Sequence, residues 1–500
     1  MRPPWRAAAL LLALEAAAFG VCARTIGFYH DDWGLLESVA RGGGYWGGVR
    51  EMLKTPLAVR TLGVLWLSLP GLLGTSPFVY QLLLMAQDAA CAFLFYLLLM
   101  RLLGRPRLAL TAAALALVHP SHPATHHWFS DGPQSMALAL TLGAMILAFD
   151  ARERGDRRRE ALAAALYFAS LLFYEAAALL PLTLGAALFL ERRGSGAKAA
   201  LKSAARALAP FGGALAAGGA WQLLLPRLLL ASAHPKAKAA GLGHAAHALR
   251  SAVECLTIDT FDIARRTAAA GHEIFGAAGL AAWTATALAA AAVLATTAEP
   301  KKTPPLSRAL WLAAVVFAAA YAPYALSNYD PQVLGVMSRI NGTGALAAAL
   351  LLAAAVEALR ARTSAAPAAA LAAALVASFV WTDWYVARMW AEAWTVENRI
   401  LALVGAKKDL LPQGATVLLR GAPEDFNGAP LFSASWDFDA ALRVSTGRAD
   451  LRGDVVKTGM NSEAEGVVYR KGGAVVRVFP YDRLFTYDYS EQRLYRLAGP

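Results

Sequence analysis

Apolar residues run in blocks of about twenty along most of this chain, separated by short polar stretches, and that block length suits a helix crossing a hydrocarbon core of roughly 30 Å. The first block runs from Trp5 to Ala23. Others run from Pro77 to Leu103, Leu108 to His119, Gln134 to Phe149, Ala161 to Phe173, Ala176 to Phe189 and Ala207 to Leu230. The series continues with Phe275 to Thr296, Ala309 to Ser327, Gly344 to Leu359 and Ala366 to Tyr385, about eleven spans in all. The pattern predicts an all-α multi-pass membrane domain over residues 1–386. Trp390 and Trp394 extend the last span into a linking helix that ends near Leu411, after which the chain becomes soluble in character. There, Ala415 to Arg420, Gly466 to Arg470 and Ala474 to Phe479 read as strands, the last two joined through Lys471-Gly472-Gly473 as a hairpin. Residues 387–500 therefore predict a small α+β domain outside the membrane.

Charge gives the orientation. Arg2 and Arg6 precede the first span and place the N-terminus in the cytoplasm, because Lys and Arg in short loops favour that side. Alternate loops should then be basic. They carry Arg101, Arg105 and Arg107; Arg152, Arg154, Arg157, Arg158 and Arg159; Arg192, Arg193, Lys198 and Lys202; Lys301, Lys302 and Arg308; and Arg360 with Arg362. The intervening loops hold His, Asp and Trp instead. The last span runs outward and puts the C-terminal domain on the periplasmic side of what the Ala-rich composition suggests is a bacterial inner membrane.

Composition narrows the class further. A chain that is 57% hydrophobic and 16% charged over 500 residues is not a soluble globular protein. Its net charge of +12 is accounted for by inner loops and anionic headgroups, which removes the case for nucleic acid and leaves membrane lipid as the partner of those residues. Cys22 and Cys91 fall in apolar segments and Cys255 in an outer loop, so no disulfide framework or CxxC site exists.

The outer segments hold the candidate chemistry. Tyr29-His30-Asp31-Asp32-Trp33 sets two adjacent carboxylates at the rim beyond the first span, where either can deprotonate a hydroxyl or hold a divalent cation such as Mg or Mn. Solvated acids at a helix end are the plainer reading of Asp31 and Asp32. The rest of that loop, Val49 to Leu73 with Pro56 and Pro70, suits a helix lying in the interface. Tyr174-Glu175 lies between two apolar segments on the same face, and Glu175 is either functional or a helix cap. His119, His122, His126 and His127 cluster before Trp128, as a structural zinc site or as the polar lining of an outer cavity; Pro120 and Pro123 oppose a regular helix there. Arg339 opens an apolar helix and can clamp a lipid phosphate or snorkel to the headgroups. Glu15 and Asp88 fall near mid-helix, where they mark a transport path or bond one helix to another. The third outer segment, about Ala231 to His272, predicts a pair of surface helices.

Asp31-Asp32 after the first span, His119-Pro120-Ser121-His122 with Trp128, and the aromatic-Glu step Tyr174-Glu175 resemble the GT-C superfamily of polyprenyl-phosphate-sugar-dependent glycosyltransferases, with the second motif closest to its protein O-mannosyltransferase-like branches. Pro56-Leu57 with Arg60 is loosely similar to the basic-Pro-Leu segment of that superfamily. Ala124 stands where those branches often carry Glu, and Phe173-Tyr174 stands in place of Ser-Lys. The resemblance spans roughly residues 1–350. It implies inverting transfer of a hexosyl or pentosyl group from a polyprenyl-phosphate donor to a glycan, lipid or protein acceptor at the outer membrane face. Asp31, Asp32 and Glu175 would be catalytic, with Asp31 or Asp32 the general base or metal ligand. His30, Trp33, Arg60, His122, His126, His127, Trp128, Tyr174 and Arg339 would contact substrate. A polytopic transporter or flippase is the alternative, and predicts that Glu15 and Asp88 face a midplane cavity; a non-catalytic assembly protein would tolerate loss of both aspartates.

Overall fold

A computed structural model describes residues 4–229, 241–300, 303–327 and 329–499. Arg2, Lys301, Lys302 and residues 230–240 of the third outer segment lie outside these described residues. A helix stands at every one of the eleven predicted spans, but they are not of equal length. Among the described residues, eight helical stretches are long and apolar enough to cross a membrane, including Pro77–Leu103, Leu306–Ala325 and Ala365–Gly405. Trp5–Phe19, Pro106–Leu117, Arg157–Phe173 and Leu182–Arg192 are shorter. The sixth predicted span, Ala176 to Phe189, begins as turns over 176–181 and becomes helical at Leu182, because Pro181 cannot donate to a preceding turn and sits as the N-cap instead.

Two other expectations change. The interfacial helix expected over Val49 to Leu73 is a broken series, Tyr45–Leu53, Pro56–Arg60, Thr61–Leu67 and Pro70–Leu73, with a proline opening two of its pieces. The described part of the third outer segment is one helix, Leu242–Glu254, running through a π turn into Thr260–Thr296, so the expected second surface helix is the outer end of a spanning one. That long helix breaks only at Gly276, whose φ of 57° is open to glycine.

The basic loops meet at one end of the bundle. Arg101 Nε pairs with Asp150 at 2.8 Å, Arg107 Nε with Glu357 at 2.6 Å and Arg308 with Glu191 at 3.7 Å, and Arg152 donates to Ser203. These contacts join all five basic loops on one face, as the charge alternation predicts. The opposite end gathers Asp31, Trp128, Glu175, Arg339 and the C-terminal domain.

In that domain the predicted strand is Thr416–Arg420, paired in parallel with Arg452–Val455 on one side and Leu484–Asp488 on the other, with Val417 opposite Gly453 and Phe485. Helix Ser435–Thr446 makes the crossover between the first two. The predicted hairpin is present as Gly466–Lys471 with Ala474–Pro480, in a separate three-stranded antiparallel sheet. No flexible linker separates the domain from the membrane helices. Helix Ala365–Gly405 passes unbroken through residue 387, and one apolar cluster joins Phe28, Trp33 and Leu36 of the first outer loop to Ile400 and Leu401 and on to Phe438 and Leu442.

Candidate functional site

The first outer loop turns sharply before its aspartates. Gly27 lies against Trp394 so closely that a Cβ would sit 1.8 Å from the indole, so only glycine fits. His30 then takes φ 49° and ψ −116°, a conformation that side chains rarely adopt and that costs on the order of 1–3 kcal/mol. Helix Asp31–Gly42 starts at once, with both carboxylates in the first turn, where the helix dipole favours negative charge, and it ends in glycine, Gly43, at φ 72°.

The two aspartates are built for different tasks. Asp32 is fully buried and both of its oxygens are engaged: Oδ2 takes the Tyr29 amide at 3.0 Å, and Oδ1 takes the Ser130 amide at 2.9 Å and the Ser130 hydroxyl. It ties the first outer loop to the second. Burial pushes its carboxyl up to about 7 against the pull of those donors. Asp31 is 49% exposed and lies 3.2 Å from His30 Nδ1, with its Oδ1 also accepting from Trp436 Nε1 at 3.2 Å. Partial burial pushes the Asp31 carboxyl up, but His30 and the Arg339 charge outweigh it and hold the group below the usual range. His30, conversely, is raised: its desolvation is outweighed by Asp31.

Cations and aromatic faces surround this carboxylate. Arg339 lies over the ring of Trp128 at 4.9 Å from the centroid, and Trp128 donates to the Tyr29 carbonyl at 3.1 Å. His30 meets the rings of Trp128 and Trp436 edge-on, each at 5.6 Å. Beside them Arg60 grips Glu175 through two hydrogen bonds, 3.0 and 2.5 Å, while its guanidinium lies 3.7 Å from the centre of the Tyr174 ring. Arg339 and Arg60 both act on Glu175 and hold its carboxyl low despite its desolvation. His30, Asp31, Arg60, Trp128, Tyr174, Glu175 and Arg339 thus form one rim.

Other candidates lie deeper. Trp33 is buried, stacked on Trp394 at 5.8 Å and bonded to Glu397 at 3.2 Å. His122 binds Thr125 Oγ1 at 2.8 Å, and its Nε2 lies 3.3 Å from the Ala116 carbonyl. His126 pairs with Asp88 at 2.8 Å, and His127 is buried beside Trp390. A groove of about 600 Å³ runs along Gln332 to Val336, the segment leading into Arg339, and is lined on its far side by Glu424, Asp425 and Ser433.

The sequence did not mark Ser130, Asp131 or Trp436. Ser130 and Asp131 come just after Trp128-Phe129, at the end of a loop already singled out, and Asp131 is buried with neither oxygen bonded. Trp436 is 405 residues from Asp31, and no local pattern could have paired them.

Among solved structures this chain is similar to ArnT from Cupriavidus metallidurans bound to undecaprenyl phosphate, at 12% identity and TM-score 0.44 over 90% of this chain and 86% of that one. The apo structure of the same protein is similar at 12% identity and TM-score 0.41, over 90% and 85%. No protein-family model and no curated protein gives a match.

Proposed function

We propose that this chain is an integral-membrane glycosyltransferase that moves a sugar from a polyprenyl-phosphate donor to an acceptor hydroxyl at the outer membrane face. The observation that carries the reading is the contrast within the aspartate pair: Asp32 is buried with both oxygens engaged by three donors, whereas Asp31 presents an ionised carboxylate to the open side of a rim holding Arg60 and Arg339. A carboxylate so placed accepts the proton of an attacking hydroxyl, and two guanidiniums neutralise a leaving phosphate. In this mechanism Asp31 is the general base, Asp32 fixes its loop, and Glu175, whose oxygens are engaged by Arg60, aims that guanidinium. Trp128 carries Arg339. A divalent cation at the rim would bind through Asp31, since the Asp32 oxygens are already engaged; it would add charge neutralisation for the phosphate. The groove beside Gln332 to Val336 is a route for the acceptor.

The transporter reading needs a passage at Glu15 and Asp88. The cavity that touches Asp88 and His126 has a volume of about 40 Å³, room for water or an ion rather than a polar substrate. To test the reading, the purified chain in nanodiscs is supplied with a panel of radiolabelled polyprenyl-phosphate sugars and membrane-extracted acceptors. Transfer with one donor supports it; no transfer with any donor, together with no binding of polyprenyl phosphate, would sink it.

A further inference from the structure

Three side chains that the rim does not use meet in the centre of the bundle. Glu15 comes from the first helix, Asp88 from Pro77–Leu103 and His126 from the turn Pro123–His127, and one donor atom of each lies within 4.8 Å of the others. All three are buried, Glu15 completely. Neither oxygen of Glu15 has a hydrogen-bond partner, nor does His126 Nε2. Asp88 accepts from Ser135 Oγ at 3.2 Å and shares a hydrogen bond of 2.8 Å with His126 Nδ1, and Phe19 stacks on the imidazole at 4.0 Å.

The charge balance makes this arrangement expensive if nothing more is present. Two carboxylates share a dry site, a third, Asp383, faces Glu15 with one oxygen unbonded, and among the described residues no arginine or lysine pairs with Glu15 or Asp88. Removing one unpaired ion from water costs several kcal/mol, and adjacent like charges add to that. Helix-to-helix hydrogen bonding would leave no oxygen of Glu15 free.

We propose that Glu15, Asp88 and His126 bind one divalent transition-metal ion, of the Zn or Mn class, that ties the first helix, helix Pro77–Leu103 and the His-rich turn together. One imidazole with two carboxylates suits those ions. Donors around such an ion at about 2.1 Å stand roughly 3.3 Å apart, so the observed cluster closes onto it by side-chain rotation. The ion takes the place of the proton shared by His126 Nδ1 and Asp88, which is released to solvent, and Ser135 becomes the outer-shell partner that orients Asp88. The adjoining cavity supplies a water as a further ligand. This site is separate from the rim and does not depend on the glycosyltransferase reading.

The test is elemental analysis of the full chain, purified without chelator and without a polyhistidine tag. About one Zn or Mn per chain is expected, with a chelator-induced drop in the thermal midpoint that either ion reverses. Glu15→Gln with Asp88→Asn should lose at least about tenfold of the bound metal, Ser135→Ala should weaken binding about tenfold, and Asp31→Asn at the rim should keep it. If the double variant fails to fold, the wild type decides alone: less than about a tenth of an ion per chain, both as purified and after equilibration with Zn²⁺ and then Mn²⁺, means that protons neutralise the cluster and overturns the proposal.

Discussion

At the residue scale, adjacent aspartates of one sequence motif differ because of what surrounds them. Asp32 is a buried acceptor for three donors, so Asp32→Ala strands two backbone amides and a hydroxyl; a loss of about 3–5 kcal/mol is expected in reversible detergent unfolding. His30 and Asp31 have a pH signature. The raised His30 value means that its contribution is complete below the ordinary 6.5 and fades as pH rises through the folded value; the lowered Asp31 value means that its own contribution is present above 3.8 and fades as pH falls. The pair therefore stabilises most between those two values. The thermal midpoint of His30→Asn should approach that of wild type at alkaline pH and fall short of it near pH 5, and equal shortfalls at both would contradict the pairing. Arg60→Ala and Arg339→Ala should each raise KM for the lipid donor by about tenfold or more, corresponding to about 1.4 kcal/mol, with Glu175→Gln acting through Arg60 to a smaller extent.

At the scale of elements, the sequence read well wherever a single physical signal decided the outcome. Block length placed a helix at every predicted span, and the alternation of basic loops sorted their ends, because desolvation and headgroup charge act on each segment by itself. The boundaries failed where local chemistry competed with hydropathy: Pro181 delayed a helix, prolines broke the segment after Tyr45, and a π turn fused two predicted helices into one. The hairpin through Lys471-Gly472-Gly473 was legible from its turn, with Gly472 at φ 58° and Gly473 at φ 84°. The parallel pairing of Thr416–Arg420 was not, since parallel register depends on strands 36 to 68 residues away. The same limit hid Trp436 and Ser130 from the reading of the site. Helix Ser435–Thr446 meets the rim helix through Arg443, which bonds Glu37 at 2.9 Å and Asp439 at 2.5 Å. Arg443→Ala should loosen the C-terminal domain, seen as faster limited proteolysis beyond residue 411.

At the scale of the whole molecule, the C-terminal domain is packed into the face that carries the rim rather than being an appendage. One apolar cluster runs from the first outer loop through the end of the last helix into that domain, and Trp436 brings an exposed indole onto Asp31. Gly27→Ala, which forces the loop off Trp394, should therefore disturb both the rim and the domain and lower the thermal midpoint of the whole assembly as one transition. The bundle separates two polar centres: an open rim of carboxylate and guanidinium at one face, and a closed cluster of Glu15, Asp88 and His126 beneath it.

Asp31 is the group on which the proposed transfer depends, and the most direct measurement is the turnover rate of sugar transfer by nanodisc-reconstituted wild type and Asp31→Asn at saturating donor. A fall in kcat of at least about a hundredfold is expected, with donor binding and thermal midpoint close to those of wild type, as removal of a general base requires. Transfer by Asp31→Asn at the wild-type rate would contradict the assignment.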